Sequence, residues 1–129
     1  MRKVKSMKGN KKEVLVKLID KELAENKDKY NKYYRLESQL QTRIITVLKR
    51  IFKEDIWFTK ISDKYIKGIP DIVGCVAGRF FAMELKTKKG KPSDLQVYNI
   101  NKITKAGGTV CIVRTVEESL MTIKSTLMT

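Results

Sequence analysis

Pro70-Asp71-Ile72-Val73-Gly74-Cys75-Val76-Ala77-Gly78-Arg79-Phe80-Phe81-Ala82-Met83-Glu84-Leu85-Lys86 is the stretch that decides the fold. Asp71 to Val76 is rich in β-branched residues and reads as a strand; Arg79 to Lys86, carrying two phenylalanines, reads as another. Ala77-Gly78 turns the chain between them, so the two strands form a hairpin. Pro70 stands at the entry to the first strand, where its missing N–H is tolerated. Along the second strand side chains alternate, so Phe81, Met83 and Leu85 share one face while Ala82, Glu84 and Lys86 share the other. Asp71 and Glu84 lie about equally far from the turn, so hairpin pairing can set the two carboxylates side by side.

Working outward, Ile56 to Ile61 (IWFTKI) is a further strand, and a loop rich in Lys, Asp and Gly joins it to Pro70. Before it, Leu36, Leu40, Ile44, Val47, Leu48 and Ile51 recur at helical spacing and predict a helix from about Arg35 to Phe52. Val14, Leu15, Leu18, Ile19 and Leu23 give a narrower stripe from Lys11 to about Asn26, and Asn26 to Tyr34 reads as a hinge or a continuation. After the hairpin, Lys88 to Pro92 is a basic loop. Ser93-Asp94-Leu95-Gln96 is a capping-box start, and Gly107-Gly108 is a helix stop. Thr109 to Arg114 is a last strand, and Thr115-Val116-Glu117-Glu118 is a second capping box that opens a final helix. The expected order is (α)αβββαβα, an α/β protein. Residues 1–34 form a basic arm and amphipathic helix, and residues 35–129 a single domain.

Composition narrows the chemistry. The chain has 129 residues, with 28 Lys plus Arg against 14 Asp plus Glu, a formal charge of +14. A field of that sign concentrates polyanions, and nucleic acid is the expected partner. No apolar run approaches the ~20 residues of a membrane span, and no secretory signal is visible, so a cytoplasmic protein is expected. There is no histidine, which excludes Ser-His-Asp and Cys-His chemistry and the usual His-bearing zinc sites. Cys75 and Cys111 lie in apolar runs without a C-x-x-C, and buried free thiols on strands are expected. Catalysis must then use carboxylates, lysine, tyrosine or a hard metal.

A charged pair near the end of an apolar strand is costly unless it is paired or binds a metal. Asp71 and Glu84 at one sheet edge offer an oxygen-ligand site suited to Mg²⁺ or Mn²⁺. Lys86 beside them can position a water or stabilise charge growing on a phosphate. The plainer alternative is that Asp71 is a turn residue and Glu84 and Lys86 form a same-face surface ion pair.

Gly68-Ile69-Pro70-Asp71, then Glu84-Leu85-Lys86, then Gln96, resembles the PD-(D/E)XK nuclease superfamily. Within it the pattern is similar to the VRR-NUC family, small phage and bacterial nucleases also found as the nuclease domain of the Fanconi-associated nuclease. The likeness runs from about Glu37 to Glu118 and includes Gly107-Gly108 with Val113. It implies a restriction-endonuclease-like core, a four-stranded mixed sheet flanked by helices. It also implies that Asp71, Glu84 and the backbone carbonyl of Leu85 hold the metal, that Glu37 binds it directly or through water, and that Lys86 orients the nucleophilic water. Gln96 would steady the site or touch a phosphate, although capping alone explains a glutamine there. Glu37 would equally suit the first turn of a helix without any metal.

Lys88, Lys89 and Lys91 follow Lys86 and would flank a phosphate held at the site; Lys60, Lys64 and Lys67 precede Asp71 in a loop toward the same edge. Tyr30, Tyr33, Tyr34 and Trp57 could stack on unpaired bases, with core packing the plainer role for Trp57. The leading expectation is a Mg²⁺- or Mn²⁺-dependent DNA endonuclease. The resemblance implies selectivity for branched DNA such as four-way junctions and a homodimer with two sites. A non-catalytic basic DNA-binding protein or partner subunit is the alternative, and a sequence-specific restriction-type enzyme a third reading.

Overall fold

The computed structural model describes residues 9–62 and 66–129. The first helix, α1 (Gly9–Glu25), buries Leu15 and Ile19 and leans Val16, Leu18 and Leu23 against the same core. A single turn, α2 (Lys27–Tyr30), follows, with the Tyr30 N–H donating to the Asn26 carbonyl at 2.8 Å. Tyr30 is fully buried and its hydroxyl accepts from Arg50 Nη2 at 2.7 Å, while Arg50 Nη1 lies 2.9 Å from Glu22 Oε1. That three-residue tie fixes α1 and α2 to α3 (Glu37–Phe52), and it removes Tyr30 from any stacking role. On α3 the buried face is Leu40, Ile44, Val47, Leu48 and Ile51, the spacing of one side of a helix. The helix begins at Glu37, two residues later than the apolar pattern suggests. Leu36 is extended (φ −117°, ψ 142°), and its N–H is held by Gln39 Oε1 at 3.1 Å.

The four strands form one sheet in chain order: β1 (Ile56–Lys60), β2 (Ile72–Val76), β3 (Arg79–Leu85) and β4 (Thr109–Val113). β1 and β2 pair antiparallel, as do β2 and β3, and β4 runs parallel to β3. The sheet is therefore mixed and flanked by helices. Ala77 (φ 53°) and Gly78 (φ 75°) are both left-handed, the geometry of a two-residue hairpin turn that suits the strands' twist. The turn fixes Ile72 opposite Met83 and Val76 opposite Arg79. A one-residue slip would throw Phe81, Met83 and Leu85 out of the core, so register here is tightly specified. At Gly74 the strands crowd: a Cβ would sit 2.3 Å from the Trp57 carbonyl oxygen and 2.8 Å from the Phe81 ring.

The parallel β3–β4 pair is bridged by α4 (Asp94–Lys105), and α5 (Val116–Met128) closes the chain. Ser93 caps α4: its hydroxyl accepts from the Gln96 N–H at 3.2 Å, and Gln96 Oε1 accepts from the Ser93 N–H at 2.8 Å. Gly107 (φ +98°) ends the helix. The second capping box forms only by half. Thr115 accepts from the Glu118 N–H at 3.1 Å, but Glu118 Oε1 reaches one residue further back, to the Arg114 N–H at 2.7 Å. Leu120, Ile123 and Leu127 of α5 join Leu15, Ile19, the α3 stripe and Phe81, Met83 and Leu85 in one core. Among the described residues no helix is long and apolar enough to cross a membrane.

Two expectations about packing are corrected. Trp57 is 61% exposed: it lies in register with Cys75 and, one strand on, Phe80, on the face turned away from the core. Cys75 in that row is exposed and Cys111 half-buried, both free thiols, so neither is the buried thiol its apolar neighbours suggested. β-branched neighbours fix a strand, but only register fixes which of its faces is covered.

Candidate active site

The hairpin register that runs from Val76–Arg79 to Ile72–Met83 continues to Asp71 opposite Glu84. Asp71 is fixed there by two features of the chain before it. Gly68 takes φ +81° and packs on α4, where Asn99 Nδ2 donates to its carbonyl at 3.0 Å. Pro70 is buried at the strand entry. Asp71 Oδ2 then accepts from the Leu85 N–H at 2.7 Å, a charge-assisted bond that ties the first carboxylate to the backbone directly after the second.

Glu84 is 1% exposed, and among the described residues neither of its carboxylate oxygens has a hydrogen-bond partner. A buried carboxylate with both oxygens unpartnered is rare, because nothing replaces the water it has lost. Its pKa is pushed up to about 8, first by burial and then by the Asp71 carboxylate beside it. The Lys86 ammonium acts in the opposite direction, and the Glu37 charge adds a small upward push. These four residues thus share one electrostatic site at the end of the sheet. Asp71 and Glu84 are its paired centre, and Lys86, half-buried, follows on the face of Glu84. Glu37 is exposed in the first turn of α3 and felt at a distance. Among the described residues no three His, Cys, Asp or Glu side chains converge as a ready-made ion cage.

The donor set is nonetheless a hard one. Two carboxylates on fixed backbone, one with both oxygens free, supply the ligand chemistry that Mg²⁺ or Mn²⁺ takes. A solved structure described as a VRR_NUC domain superposes on this chain with a TM-score of 0.51 at 21% identity. The match covers 65% of this chain and 92% of that one. The fold is that of a VRR_NUC domain. No family model matches the chain, and no curated protein does.

On the VRR_NUC fold the remaining expected residues fall as follows. Gln96 is half-buried in the first turn of α4; its Oε1 is engaged in capping, which leaves its amide N–H groups to meet an anion. Lys88, Lys89 and Lys91 are exposed on the loop after β3, and Lys88 Nζ lies 5.1 Å from the centre of the Tyr33 ring. Lys67 is exposed in the turn before Gly68. Lys60 is exposed but pairs with Ile72, a core-facing residue, so alternation directs it to the face opposite Glu84. Lys64 lies outside the described residues. Sequence reasoning missed Arg114 altogether. Because Leu85 pairs with Val113, Arg114 follows β4 as Lys86 follows β3, on the same face of the sheet. The signal was a basic residue directly after each strand, readable only once the two strands are known to be parallel.

Proposed function

We propose that this chain is a VRR-NUC nuclease: a Mg²⁺- or Mn²⁺-dependent endonuclease that hydrolyses phosphodiester bonds of branched DNA, four-way junctions included, as a homodimer. The observation that carries the reading is Glu84, buried and, among the described residues, unpartnered against Asp71 at the end of a basic protein's central hairpin. Asp71, Glu84 and the Leu85 carbonyl would hold the ion, with Glu37 reaching it directly or through water. Bound there, the ion supplies Lewis-acid polarisation of a phosphate oxygen and lowers the pKa of a water. The Leu85 N–H keeps Asp71 in its rotamer, so the pair is organised before substrate arrives. Lys86 orients the attacking water and offsets charge developing on the phosphate. Lys67, Lys88, Lys89 and Lys91 hold the backbone on either side.

One observation favours a second reading, a DNA-binding protein of nuclease fold that does not cut. Among the described residues no third carboxylate closes on Asp71 and Glu84. A panel of labelled duplex, flap, single-stranded and four-way-junction DNAs, incubated with Mg²⁺, Mn²⁺ or EDTA, separates the two. The nuclease reading expects metal-dependent cleavage of the branched substrates, reduced roughly 10²-fold or more by Asp71→Asn or Lys86→Ala with binding largely kept. Binding without cleavage in either metal would leave only the second reading.

A further inference from the structure

Arg114 stands beside Lys86 at the end of the parallel pair, and the Lys86 N–H donates to the Val113 carbonyl at 3.0 Å. Its guanidinium forms no ion pair with a described carboxylate. Instead Nη1 donates to the carbonyl oxygens of Thr87 at 2.6 Å and Gly90 at 2.7 Å, with the Lys88 carbonyl at 3.4 Å. The Gly90 N–H closes the turn onto the Thr87 carbonyl at 3.2 Å. One charged nitrogen thus gathers the carbonyls of the loop inward. The side chains of Lys88, Lys89 and Lys91 are left exposed, and Lys88 lies over Tyr33. Arg114 is anchored in its turn, since its own N–H is held by Glu118 Oε1 in the first turn of α5. A loop bearing this much like charge repels itself, and the guanidinium's charge-assisted hydrogen bonds to its carbonyls hold it closed against that repulsion.

We propose that Arg114 is a positioning residue: it fixes the Thr87–Lys91 loop so that Lys88, Lys89 and Lys91 form an ordered arc of cations that grips the DNA backbone flanking the scissile phosphate. The proposal rests on the nuclease reading for what the arc binds, but the ordering of the loop is tested without DNA.

Limited trypsin digestion of the full chain, read by mass spectrometry, reports on the Lys88–Lys89 and Lys89–Gly90 bonds. They are expected to resist in the native protein and to be cut at least roughly tenfold faster in Arg114→Met, which keeps the stem and loses the charge. Arg114→Lys, whose ammonium can still reach several carbonyls, is expected to restore most of the protection. On a cleaved DNA, Arg114→Met should raise KM by roughly tenfold with kcat within about twofold, since uniform binding is lost. A merely structural role would lower both with the folded fraction. If Arg114→Met does not fold, hydrogen exchange of the Gly90 amide in the native protein decides instead. Slow exchange supports the proposal and rapid exchange overturns it. Unchanged tryptic cutting in Arg114→Met, or a loss confined to kcat, also overturns it. Absence of DNA cleavage by the native protein sinks the nuclease reading, whatever the digestion shows.

Discussion

Glu84 bears a penalty that a proton or a cation can remove. Its carboxyl has a pKa near 8 in the folded protein, against 4.5 in an unperturbed chain, with burial the main cause and Asp71 the next. Between those values the folded state binds a proton that the unfolded chain has released. Stability of the metal-free protein is therefore expected to fall as pH rises from about 4.5 to about 8 and to level off above. Glu84→Gln removes the titration while keeping the shape. In EDTA it should flatten the melting profile between pH 5 and 8.5 and stabilise the protein at pH 8.5 by about 2 kcal/mol, several degrees in Tm. The same substitution should abolish cleavage. Thermal melts at three pH values check the first outcome, and a native pH profile that rises toward pH 8.5 would refute it.

At the level of elements, the decisive joint is the Gly-x-Pro-Asp loop docked on α4. A Cβ at Gly68 would lie 2.5 Å from Leu95 Cγ and 2.8 Å from Asn99 Nδ2, on a backbone at φ +81°. Gly68→Ala is expected to cost about 2 to 3 kcal/mol and to lower kcat by loosening Asp71, measured by urea melts and by cleavage at saturating DNA. An alanine variant as stable and active as the native chain would show that the loop is not what holds Asp71. The elements read most easily from sequence were those set by near neighbours. The Ala77-Gly78 turn, the alternation in β3 and the Ser93–Gln96 box each depend on residues a few positions apart. Pairing Asp71 with Glu84 needed only the hairpin. Burial of Glu84, the outward turn of Trp57 and the place of Arg114 depend on the β3–β4 crossover and on which helices cover which face, and no local pattern encodes those. Lys60 shows the same limit, because a lysine's neighbours in sequence do not say which side of an edge strand it leaves.

Across the whole molecule, a charge of +14 on 129 residues makes association with DNA an electrostatic event before it is a chemical one. If about five phosphates are neutralised, affinity should fall roughly 10²- to 10³-fold between 50 and 200 mM salt, with a linear log–log slope near −4 to −5. Fluorescence anisotropy over a salt series measures it, and a slope near zero would remove the cation arc from the binding face. The hairpin also bears on kinetics. Its two-residue turn allows Asp71 and Glu84 to meet by local closure, within microseconds, while β4 can pair only after α4 has crossed over. The carboxylates therefore come together while still hydrated and lose their water at the last stage of assembly. Their repulsion then belongs to the late, native side of the folding barrier. In stopped-flow experiments with chelator present, raising the pH from about 5 to about 8 should speed unfolding, with a plateau above 8, and leave the refolding rate nearly unchanged.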